Sequence, residues 1–67
     1  MQSPQIVKRA TVEAATGLSR SSLYRLISAG QFPAPVKLSS RSVGWVLAEV
    51  TAFIESKVAE RDGKGEK

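Results

Sequence analysis

Neither cysteine nor histidine occurs among the 67 residues of this chain. Without them there is no disulfide, and the zinc sites that often hold small domains together are excluded. The same two absences remove the commonest nucleophile and the commonest general base. Serine, lysine, tyrosine and carboxylates remain, and no spacing among them assembles a catalytic constellation. No apolar run approaches the length of a membrane span, and Met1-Gln2-Ser3-Pro4-Gln5 lacks the charged-then-apolar pattern of a signal peptide. The expectation is a cytoplasmic, non-enzymatic chain with no metal, no cofactor, no small-molecule substrate and no membrane partner.

Carboxylates are also scarce, but only in the front of the chain. Up to Val46, Lys8, Arg9, Arg20, Arg25, Lys37 and Arg41 stand against Glu13 alone, a balance of +5, whereas residues 47–67 hold four cations against five carboxylates, a balance of −1. A cationic front on a nearly neutral back points to a polyanion as partner. The length allows one small domain with a modest core, so marginal stability is expected.

The run Gly17-Leu18-Ser19-Arg20-Ser21-Ser22-Leu23-Tyr24-Arg25 joins a helix stop, a tight turn and a helix start. Gly17 can take the left-handed conformation that ends one helix, Leu18 can plug the angle between two, and the Ser19 hydroxyl can cap the next. Before it, Ile6-Val7 reads as a short extended lead-in and Thr11 as the cap of a brief helix over Val12 to Thr16. After it, Leu23, Leu26 and Ile27 share one face of a helix from Arg20 to Ala29, with Gly30 as its stop, and Ser21, Tyr24, Arg25 and Ser28 lie opposite. Arg20, Ser21 and Ser22 open that helix, and Tyr24 and Arg25 follow one turn later. Side chains of these types suit phosphates and base edges.

Gln31-Phe32-Pro33-Ala34-Pro35 forbids helix, with Phe32 free to anchor the connection in the core. Val36-Lys37-Leu38 and Val43-Gly44-Trp45-Val46 then flank Ser39-Ser40-Arg41-Ser42, a polar loop of hairpin length. Lys37 and Arg41 make this hairpin basic, as a wing reaching phosphate or minor groove would be. A last helix from about Leu47 to Arg61 lines up Leu47, Val50, Ile54 and Val58, with Phe53 at the edge of the stripe and Glu49, Ser56 and Glu60 outside it. Trp45 is assigned to the core as packing mass. The predicted organisation is a flexible N-terminus over 1–5, a single domain over 6–61 and a disordered charged tail over 62–67.

From about Val7 to Arg61 the chain resembles the AlpA-type regulators of phages and prophages, small winged-helix proteins related to excisionases and to the DNA-binding part of MerR proteins. Three motifs carry the likeness: the run from Gly17 to Arg25, Phe32-Pro33-Ala34-Pro35-Val36-Lys37-Leu38, and Arg41-Ser42-Val43-Gly44-Trp45, in the family's order and spacing. The resemblance implies a mainly α fold with a small β-hairpin, a winged helix-turn-helix acting on double-stranded DNA without catalysis. It implies recognition-helix roles for Arg20, Ser21, Tyr24 and Arg25 and a wing role for Arg41. The chain departs from the family's pattern after Trp45, where Val46-Leu47-Ala48 replaces a polar or acidic helix start and Phe53 stands where a second tryptophan is frequent.

The resulting expectation is a nucleoid-associated transcriptional regulator that touches DNA through Arg20, Ser21, Ser22, Tyr24, Arg25, Lys37 and Arg41. It is expected to be a monomer in solution, with neighbouring copies of itself meeting on the DNA. The alternative on the same fold is an excisionase-like architectural factor that bends DNA and steers an integrase. A protein-binding module using the apolar edge around Phe53 and Trp45 is a third reading, against which the basic front argues.

Overall fold

In a computed structural model that describes residues 5–65, the elements follow as β1 (Ile6–Val7), α1 (Arg9–Thr16), α2 (Arg20–Ser28), β2 (Val36–Lys37), β3 (Val43–Val46) and α3 (Leu47–Gly65). The chain is mainly helical, with one small antiparallel sheet in the order β1-β3-β2. The expected hairpin is present, closed by the Leu38 amide donating to the Ser42 carbonyl at 2.8 Å. The expected lead-in becomes a strand as well. Ile6 pairs with Val46 and Val7 with Trp45, and the Leu47 amide donates to the Gln5 carbonyl at 2.7 Å.

That pairing corrects the start of α1. Thr11 does not cap it: Lys8, held extended after β1, precedes the first turn, and its carbonyl accepts from the amides of Thr11 (3.0 Å) and Val12 (3.1 Å). Arg9 Nε, 2.9 Å from Glu13 Oε2 one turn on, supports the earlier start.

The core takes one side chain from each helix, one from β3 and one from the α2–β2 connection: Val12 of α1, Leu23 of α2, Phe32 of the connection, Trp45 of β3 and Val50 of α3. Val7, Leu18, Leu26, Ile27, Phe53 and Ile54 pack around them, half-buried. Phe32 meets Phe53 edge to face with centroids 4.6 Å apart, and the Trp45 indole N–H donates to the Pro33 carbonyl at 3.1 Å. The stripe expected on α3 is buried only in its first half. Val50, Phe53 and Ile54 reach the core, but Val58 is exposed, because α1 ends at Thr16 and leaves little to pack against further along. Where a tail is expected from residue 62, α3 continues through Gly65. Gly63 does not take the left-handed conformation that stops a helix, in contrast to Gly17 and Gly30. Residues 1–4, 66 and 67 of the expected termini lie outside the described residues.

Side chains alternate across the sheet, so Trp45 and Val7 face the core while Gly44, Val46, Ile6 and Val36 face away. Ile6 leans across β3 into the space a Cβ at Gly44 would need, with the Val7 carbonyl and Leu38 Cδ1 close on either side. Gly44→Ala is therefore expected to push β1 off β3 and to destabilise by about 1–3 kcal/mol. Chemical denaturation followed by circular dichroism checks it, and an unchanged midpoint would mean that Ile6 moves aside freely.

Candidate nucleic-acid interface

Two helices and a three-residue turn set out the candidate surface. Gly17, at φ 76°, ends α1 with its amide donating to the Glu13 carbonyl at 2.7 Å. Thr16 tightens the same corner: its hydroxyl donates to the Val12 carbonyl, and its oxygen accepts from the Leu18 amide. Leu18 then turns inward against the core, as a plug between the helices must. Ser19 Oγ accepts from the Ser22 amide at 3.2 Å, satisfying one of the free N–H groups at the start of α2. The whole turn is therefore held by local hydrogen bonds, which fixes the direction in which α2 leaves it.

Along α2, Leu23 is wholly buried and Leu26 and Ile27 are half-buried, so Arg20, Ser21, Arg25 and Ser28 are presented to solvent on the other side. Two of the expected contact residues are partly engaged within the chain. Ser22 is half-buried, and its hydroxyl accepts from Ser19 at 3.2 Å, which makes it part of the cap. Tyr24 is 37% exposed and sets its ring against Trp45, with centroids 6.3 Å apart and planes at 64°. That contact ties α2 to β3. Arg41 lies four residues before Trp45 along β3 and its loop, about 13 Å of extended chain.

The loop has its own internal order. Ser39 and Ser42 exchange backbone hydrogen bonds, and Ser39 Oγ accepts from the Arg41 amide at 3.3 Å, leaving the exposed Arg41 side chain at the turn. Lys37 is exposed on β2. The ion pairs among the described residues use Arg9, Lys57 and Arg61 as cations. Lys8, Arg20, Arg25, Lys37 and Arg41 enter none of them. In the front half the single carboxylate, Glu13, is occupied by Arg9, with one oxygen buried. Of these cations, Arg20 and Arg25 on α2 and Lys37 and Arg41 on the hairpin are exposed and of the kind that suits phosphate oxygens.

Two features of this surface were outside the reach of the sequence. The Tyr24–Trp45 contact joins residues far apart in the chain, and the β1–β3 pairing seats Lys8 next to the sheet.

A family model described as prophage CP4-57 regulatory protein (AlpA) matches residues 5–58, which takes in every element except the last turns of α3. An uncharacterised protein, ORF88 of Enterobacteria phage P4, is 47% identical over 45 residues, covering 67% of this chain and 51% of that protein. The chain thus spans about half the length of the curated relative it matches.

Proposed function

The chain belongs to the prophage CP4-57 regulatory protein (AlpA) family, and from that premise we propose that it is a site-specific double-stranded DNA-binding regulator with a winged helix-turn-helix. α2 lies in the major groove, where Arg25 reads base edges and Arg20 and Ser21 hold the backbone. The hairpin is the wing and places Lys37 and Arg41 on the flanking backbone or minor groove. The observation that carries this reading is the set of exposed cations on α2 and the hairpin that no carboxylate among the described residues neutralises. Tyr24 has a double part, bracing α2 against β3 with its ring while its hydroxyl edge meets the phosphate backbone. Transcriptional regulation is the use proposed, in keeping with the family's description.

Two substitutions separate the helix from the wing. Arg25→Ala is expected to lose about 1–3 kcal/mol on a preferred site, selected from a random duplex pool, and to narrow the gap to random DNA. Arg41→Ala is expected to weaken all sequences about equally and to lower the salt slope by about one unit. Competition titrations with selected and random duplexes read both effects. Unchanged binding in both variants would move the contact surface elsewhere on the molecule. Strong bending of the selected site would assign the chain to an architectural role beside an integrase instead of a promoter.

A further inference from the structure

A groove opens between the α2–β2 connection and α3. Phe32 and Phe53 line it with Ala34, Val36 and Ala52, and Glu49 is the charged residue among its lining. Val36 is 40% exposed, and Glu49 is exposed and enters no ion pair among the described residues. The sheet order β1-β3-β2 puts the opposite chemistry at the opposite edge. There Ile6 is 38% exposed and stands two residues before Lys8, a cation that no carboxylate among the described residues pairs.

An apolar groove with an acidic rim on one side and an apolar side chain beside a cation on the other are complementary between two copies of the chain. Groove against groove would bring Glu49 towards its own copy, a like-charge contact that disfavours a symmetric pair. The complementary contact is head to tail, and such a contact does not close on itself. It is also small. One apolar side chain and one charge pair fall far short of the roughly 1,200 Å² that a stable complex buries, so the contact forms only where something else already holds the copies side by side.

We infer that the groove receives the β1 edge, Ile6 and Lys8, of a second copy bound next to it on DNA, so that copies load in an open row. This rests on the DNA-binding reading above. The test compares a duplex long enough for one copy with a duplex long enough for several, Trp45 emission serving as the check of folding. The second copy is expected to bind about tenfold more tightly than the first. Glu49→Lys and Ala52→Arg, both on exposed positions of α3, are expected to bring that factor to about one without weakening binding to the short duplex. Adding Lys8→Glu to Glu49→Lys is expected to restore cooperative loading, which a folding defect in α3 would not allow.

Each opposite outcome has a distinct meaning. Non-cooperative loading of the wild-type chain, with short-duplex binding intact, overturns this inference and leaves the groove to another protein. Full cooperativity in Glu49→Lys and Ala52→Arg removes the groove from the contact, and failure of Lys8→Glu to restore it removes β1 as the occupant. Absence of binding to either duplex by the folded chain overturns the DNA-binding reading itself.

Discussion

Trp45→Ala is expected to leave the chain largely unfolded at room temperature. Trp45 is wholly buried and is the largest of the five core side chains. It also makes three connections at once: β3 pairs with β1 through it, its indole N–H ties down the Pro33 carbonyl, and its ring supports Tyr24 on α2. Truncating a buried tryptophan costs about 3–5 kcal/mol. A domain of this size, with no cysteine or histidine to staple it, rarely has more than about 3–5 kcal/mol in total. Loss of the cooperative thermal transition by circular dichroism is the expected readout, together with weak quenching of wild-type Trp45 fluorescence by iodide. A variant that unfolds cooperatively within about 1 kcal/mol of wild type would remove Trp45 from the centre of the core.

What was legible in the sequence was what local chemistry decides. Gly17 and Ser19 can be read as stop and cap because a left-handed residue and a hydroxyl acceptor act on their immediate neighbours, and both do so here. The two closely spaced prolines after Phe32 cannot both sit in a helix interior, and the hairpin follows from two short apolar runs around a polar loop. β1 was not legible as a strand. Two residues have no periodicity, and Ile6 and Val7 pair only because β3 comes back beside them from the far side of the chain. The start of α1 is hidden for the same reason, since the extended Lys8 that sets it is held by β1 and not by a capping side chain. On α3 the apolar spacing ran past what the fold can cover. Periodicity shows which residues share a face, but not how far a neighbouring helix reaches, and Val58 is left in solvent.

The candidate surface divides in the same way. Arg20, Ser21, Arg25, Lys37 and Arg41 are exposed, as a helix face and a hairpin loop require. Ser22 and Tyr24 have second partners, one within the cap and one across the core. The cap partner follows from the spacing of Ser19 and Ser22, whereas the Trp45 partner of Tyr24 follows only from the tertiary fold. The groove beside Glu49 had no sequence sign at all, because its walls come from the α2–β2 connection and from α3.

Affinity for duplex DNA is expected to fall steeply with salt, and this is the most direct test of the proposed function. Arg20, Arg25, Lys37 and Arg41 are the cations available to phosphate, while Arg9 is held by Glu13. Each phosphate neutralised releases condensed counterions and contributes about −0.9 to the slope of log affinity against log salt, so four contacts give roughly −3.6. Between 50 and 200 mM salt the affinity should then drop roughly 150-fold. Fluorescence titrations of a labelled duplex at stepped salt concentrations measure the slope directly. A linear plot with a slope of about −3.6 is the expected result, and a flat plot, or no duplex binding at low salt by a chain whose Trp45 emission shows it folded, would contradict the assignment.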